Sequence, residues 1–343
     1  MPAKSSQMKC EIAQIPQAIS YLLDIGAVPL RATAATLREL DPAYLITVAR
    51  GSSDHAASYL KYASELLLGL PVASVGPSIA SVYNAPLRVA NTATLAISQS
   101  GKSPDIVRLT ESLRHSGSHT IAITNETASP LAMCANATLD ICAGAELSVA
   151  ATKTFVTSAV TGLWLLAEWK QDAELLAAIR ALPEALENAR AADWSEMREA
   201  VREGGSIFTL GRGPALAISN EAALKFKETC QRHAESYSSA EVMHGPVSIV
   251  GADFPVLAFA SADAAEKSVA DIADQIAAKG AKSFVTSRLA GKAKALPTVR
   301  TGHPLTDPLA LIVSFYAMVE QLATDLGGNP DAPRHLNKVT ETV

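Results

Sequence analysis

Four stretches of the sequence concentrate side chains that could do chemistry. The first, AISQSGKSPDIV at 96–107, sets Ser98, Gln99, Ser100 and Ser103 in a short turn after an apolar run. Hydroxyls in a strand-to-helix turn suit a small anion, because the first N–H groups of a helix are unpaired and its dipole favours negative charge. The Gly-Lys-Ser ending matches the nucleotide P-loop, but that pattern needs glycine where Ala96 stands. The hydroxyl content suggests one phosphate group rather than a magnesium-bound triphosphate; an ordinary helix cap with extra serines is the alternative. In the second stretch Glu221, Lys225 and Glu228 are spaced i, i+4, i+7 and share one helix face, as an ion-pair ladder or as an acid–base group. Then HAESYSSAE (233–241) breaks the helix, and MHGP sets His244 before a Gly-Pro turn. Acids, a lysine and a histidine beside irregular backbone suit proton transfer, although a lone histidine is more often structural. The fourth stretch, DAPRHLNKVTETV (331–343), is polar and by default reads as a frayed tail.

The elements that must position these groups follow from apolar runs alternating with helical stretches. YLITVA (44–49), LPVASV (70–75), TATLAI (92–97), HTIAIT (119–124) and ATLDIC (137–142) read as strands. Helices are expected over about 54–68, from Pro104 onward, and over about 150–170. Such alternation predicts a parallel sheet wrapped by helices. Residues 171–203 read as charged connecting helices. The pattern then restarts: SIFTLGRGPA (206–215) echoes LITVARGSSD (45–54), FPVLAFASAD (254–263) echoes TATLAISQSG, and KSFVTS (282–287) echoes HTIAIT. At an offset of roughly 160 residues, the chain reads as two copies of one doubly wound α/β unit. Only the first copy carries the hydroxyl-rich loop. Ser53 and the 98–103 loop both fall at carboxyl ends of strands, where such sheets bind ligands.

Composition sets the outer limits. The chain has 343 residues, 48% hydrophobic and 18% charged, with net charge −5, which fits a globular protein of two domains and argues against nucleic acid as a partner. No apolar run reaches transmembrane length, the start lacks the apolar core of a signal peptide, and four cysteines show no C-x-x-C spacing, so a cytoplasmic location is expected. His115 and His119 flank a Ser-Gly-Ser loop rather than sharing a helix face, and no metal or cofactor is expected.

Taken together, ARGSSDHA, SQSGKSPD, ELSVAATKTF (146–155), LGRGPALAISNEAALKFKE, HAESYSSAEVMHGP and PRHLNKVTE resemble, in that order, a known family. It is the double sugar isomerase (SIS) domain family of phosphosugar isomerases. The resemblance is to the isomerase half of glutamine–fructose-6-phosphate aminotransferase and, in architecture, to stand-alone SIS-type glucosamine-6-phosphate deaminase. MKCEIAQIPQAI (8–19) resembles the segment before those domains. The resemblance implies a helical segment at 1–36, one SIS domain at 37–175, a connector at 176–203, a second SIS domain at 204–328 and an active-site loop at 329–343. It implies that Ser53, Ser98, Gln99, Ser100 and Ser103 hold the sugar phosphate and that the Val149 backbone contacts the sugar. Glu228 would move the proton between C1 and C2, with Lys225 and Glu221 beside it. His244 would open the sugar ring, reaching in from the neighbouring subunit of a homodimer. Lys338, next to Asn337, matches a lysine that can form a Schiff base.

Some positions depart from the aminotransferase. No glutaminase segment is expected ahead of the isomerase part, Lys102 stands where an acid is usual, Arg232 precedes His233 where an apolar residue is usual, and Asn337 replaces a small residue. The expected activity is therefore conversion of glucosamine 6-phosphate and water to fructose 6-phosphate and ammonia. The alternatives are a fructosamine-6-phosphate deglycase, a related enzyme using another sugar epimer, and a non-catalytic sugar-phosphate sensor.

Overall fold

The computed structural model describes residues 5–338; the remaining residues of the expected N-terminal segment and C-terminal loop lie outside the described residues. The described residues divide into two compact units, one of residues 17–146, 153–180 and 337–338, the other of 5–16, 147–152 and 181–336.

In the first unit the strands are β1 (Leu45–Val48), β2 (Val72–Ser74), β3 (Thr92–Ile97), β4 (Ser118–Thr124) and β5 (Ala137–Asp140), in order β2-β1-β3-β4-β5 and all parallel. All residues of TATLAI are buried, as a strand covered on both faces requires. The helix Lys153–Lys170 is buried nearly all round, so it lies against the sheet as a core helix rather than a surface one. Gly162 lets it approach Ser52–Leu67 closely, since a Cβ there would run into Leu60.

The second unit repeats this plan with β6 (Ser206–Gly211), β7 (His233–Ser238), β8 (Pro255–Ala258), β9 (Lys282–Val285) and β10 (Lys294–Ala295), in order β10-β9-β8-β6-β7 and again parallel. Read from its own first strand, this is the order of the first sheet. The duplication extends to single residues. Gly51 (φ 57°, ψ −135°) and Gly213 (φ 58°, ψ −136°), 162 positions apart, each turn a first strand into its helix. That backbone region is open only to glycine. Helices Ala173–Arg190 and Ser195–Glu203 occupy the stretch expected to be helical.

One expectation is overturned. HAESYSSAE is not irregular: His233–Ser238 is β7, paired with β6 along its length. It is an edge strand, with only Ala234 among its six residues buried, so the apolar alternation that marks a strand is absent.

Candidate active site

In the first unit, Ser53 sits in the first turn of the Ser52–Leu67 helix after β1, and Ser98–Ser103 follow β3. In a sheet of this order the two turns flank the switch point between β1 and β3, where ligands bind. The loop is shaped by its own serines. Ser98 Oγ accepts the Gly101 N–H at 3.2 Å and Ser100 Oγ accepts the Lys102 N–H at 3.3 Å. The Gln99 carbonyl accepts from Asn125 N (3.2 Å) and Thr124 Oγ1 (3.3 Å), tying the loop to β4. Gly101 takes φ +60°, and a Cβ there would run into Ser129. Ser103 is the N-cap of Pro104–His115 without a side-chain capping bond, so its hydroxyl is not committed to the helix. Arg50 pairs with Asp105, whose side chain is fully buried, and so joins the turn carrying Ser53 to the helix behind the loop.

The same unit holds Lys338. Its Nζ donates to Glu146 Oε2 at 2.8 Å. The Glu146 side chain is fully buried and also accepts from Thr154 N (3.0 Å) and Thr154 Oγ1 (2.6 Å). Burial alone would raise the Glu146 carboxyl; the Lys338 charge and the Thr154 hydrogen bonds outweigh it and hold the group below its ordinary value. Asn337 is exposed beside Lys338.

In the second unit, Glu221, Lys225 and Glu228 do share one face of the helix Pro214–Cys230. It is no solvated ladder: the Glu221 and Lys225 side chains are fully buried, and only Glu228, 21% exposed, opens outward. Lys225 Nζ lies 3.2 Å from Glu221 Oε1 and donates to Glu228. Burial would lower the Lys225 ammonium, but Glu221 and Glu228 together hold it above its ordinary value. Tyr316 Oη donates to Glu221 at 3.0 Å from the helix Asp307–Asp325, fixed in turn by edge-on packing of Phe315 against Phe226. The arrangement is a carboxylate resting on a buried ammonium. His244 ends the short turn Val242–His244 before Gly245 (φ 148°) and is exposed.

Sequence reasoning missed the residues that hold Val149. Its N–H donates to the Asp331 carbonyl at 3.0 Å, and the Asp331 carboxylate caps the helix Gln7–Ala13 through Gln7 N and Met8 N, both at 2.8 Å. From that helix the fully buried Glu11 accepts from Leu147 N, Ser148 N (3.3 Å) and Ser148 Oγ. The glutamate in MKCEIAQIPQAI was the one available signal: a charge among apolar residues at helical spacing. Glu11→Ala would leave these donors without that acceptor. It is expected to cost at least ~2 kcal/mol, read as a lower melting temperature, with faster amide exchange at 147 and 148. Unchanged exchange there would show that Glu11 does not hold the segment.

The SIS domain model matches residues 42–167 and 201–295, most of the chain and one stretch in each repeat. The chain belongs to the SIS domain family. A solved structure from Silicibacter pomeroyi DSS-3, a candidate phosphosugar isomerase, is 61% identical with a TM-score of 0.93, covering 95% of this chain and 100% of that one. The isomerizing glutamine–fructose-6-phosphate aminotransferase of Pyrobaculum aerophilum is 31% identical over 336 residues, covering 90% of this chain and 55% of its own. This SIS chain thus spans about half the length of that relative. Glucosamine-6-phosphate deaminase from Thermotoga maritima shares the SIS fold at a TM-score of 0.78 with 19% identity, covering 98% of this chain and 100% of that one.

No described helix is long and apolar enough to cross a membrane. All four cysteines are free. Among the described residues no three His, Cys, Asp or Glu side chains gather as a metal-ligand set.

Proposed function

We propose that this SIS protein is an isomerising deaminase that converts glucosamine 6-phosphate and water to fructose 6-phosphate and ammonia, reversibly. The observation that carries the reading is Glu228: a partly open carboxylate hydrogen-bonded to a buried lysine that a second buried carboxylate neutralises. Such a group can take a proton from carbon and give it back while its position is fixed by Lys225. The aminotransferase relatives are named for an isomerising reaction that places nitrogen on fructose 6-phosphate; run toward hydrolysis on the same carbons, that chemistry is a deamination.

In this scheme Ser53, Ser98, Gln99, Ser100 and Ser103 hold the phosphate, a handle whose binding energy positions C1 and C2. His244, supplied by the neighbouring subunit of a homodimer, moves a proton between the ring oxygen and the anomeric hydroxyl and opens the ring. Glu228 removes the C2 proton to form an enaminol and returns a proton to C1. The resulting C2 imine takes up water, its C–N bond breaks, and ammonia leaves with the ketone behind. Lys338 and the Val149 backbone hold the open chain, and Glu146 keeps Lys338 in place. Free thiols fit a reducing cytoplasm as the setting.

The test is incubation of purified protein with glucosamine 6-phosphate, without glutamine. Ammonia and fructose 6-phosphate are expected in equal amounts. Absence of both, with the sugar phosphate still raising the melting temperature, would exclude the deaminase and favour another amine or a binding role.

A further inference from the structure

The duplication leaves a second switch point, between β6 and β8, with its own loop at 259–265. The repeat offset aligns the two loops residue by residue. Pro104 and Glu266 begin the following helices, and Thr124 at the end of β4 and Thr286 just after β9 touch the loops, each pair 162 positions apart. Ser98, Ser100 and Ser103 of the first loop thereby correspond to Ala260, Ala262 and Ala265 of the second. The second loop has lost those three hydroxyls, keeps one at Ser261 where the first loop has Gln99, and keeps its backbone donors.

One of those donors, the Ala262 N–H, meets a carboxylate of the chain itself. Asp307 Oδ2 accepts from Ala262 N at 2.9 Å and from Arg300 Nη1 at 3.0 Å. Its Oδ1 accepts from Thr301 N at 2.8 Å and Thr301 Oγ1 at 2.9 Å. The residue is 1% exposed. Arg300 is fixed by Glu266 (2.7 Å), the Ala260 carbonyl (3.0 Å) and the Thr286 carbonyl (2.9 Å). A guanidinium, two backbone N–H groups and a hydroxyl converging on one buried carboxylate is a donor set suited equally to a phosphate.

We propose that the second repeat carries an anion crevice of the same descent as the first loop, filled by the chain's own Asp307. The carboxylate takes the place of a ligand, so each chain has one open crevice rather than two. The closed one acts as a rivet. It pins the start of the helix Asp307–Asp325, from which Tyr316 reaches Glu221. Removing the Asp307 carboxylate leaves Arg300 and the N–H groups of Ala262 and Thr301 facing an unfilled space, and inorganic phosphate is the probe that fits it. Glu266 and Asp263 stay nearby, so binding in the millimolar range is expected.

Equilibrium dialysis against labelled inorganic phosphate tests this on the full chain. Asp307→Ala is expected to bind one more phosphate per chain than the wild type, and Arg300→Met added to it should abolish that extra phosphate. An unchanged stoichiometry, or an extra phosphate that survives Arg300→Met, would overturn the proposal. Asp307→Ser, which keeps an acceptor for Thr301, serves where the alanine variant does not fold, and phosphate should raise its melting temperature more than that of the wild type. Variants that stay unfolded at every phosphate concentration would also overturn it. The readout is a difference from the wild type, so it stands whether or not the first loop binds phosphate.

Discussion

Replacing Glu228 with glutamine is expected to lower kcat for ammonia release from glucosamine 6-phosphate by ~10²–10⁴-fold, the usual contribution of a positioned acid–base group. The substitution keeps size and shape and removes only the ability to accept a proton. Glu228 is 21% exposed and sits at the outer end of the Glu221–Lys225 pair, so the buried charge beneath it keeps its partner in Glu221. Affinity for fructose 6-phosphate, measured by calorimetry, should therefore change by no more than a few-fold, and the melting temperature should barely move. The effect belongs in kcat because proton transfer occurs only in the transition state. A variant that keeps full turnover would remove Glu228 from the chemistry and with it the proposed mechanism.

The second large effect falls on stability. Lys225→Met is expected to destabilise the protein by ~3–5 kcal/mol, because removing one partner of a buried pair leaves an uncompensated charge. Glu221 would keep its hydrogen bond from Tyr316, but the carboxylate would face an apolar side chain in a site closed to water. Adding Glu221→Gln to Lys225→Met should recover much of the loss, since the buried charge is then gone. Thermal unfolding of the two single variants and the double variant measures this. Additive losses would mean that Lys225 and Glu221 act independently and that the pair is not the foundation on which Glu228 rests.

Much of this architecture is legible from the sequence because parallel strands buried on both faces must be apolar runs, and TATLAI and HTIAIT are such runs. The Arg-Gly turns after the first strand of each copy gave the duplication, and Gly51 and Gly213 adopt nearly the same backbone angles. The strand His233–Ser238 escaped because an edge strand needs no apolar face. The repeat itself would have placed it, since 162 residues before His233 stands Pro71, at the start of the equivalent strand stretch. Glu221 and Lys225 were readable as a helix face but not as a buried one; their burial comes from the helix Asp307–Asp325, far along the chain. Glu146, Asp307 and Asp331 were not singled out for the same reason. Each is a carboxylate whose partners include residues distant in sequence or irregular backbone, and no local periodicity records such contacts.

In the proposed mechanism Glu228 moves a proton between C1 and C2 of a hexose 6-phosphate, whatever amine the sugar carries. Fructose 6-phosphate incubated with the protein in D₂O and followed by proton NMR tests it most directly. One C1 hydrogen is expected to be replaced by deuterium, and Glu228→Gln is expected to suppress the replacement while the sugar still binds. Retention of both C1 hydrogens by the wild type, with fructose 6-phosphate demonstrably bound, would contradict it.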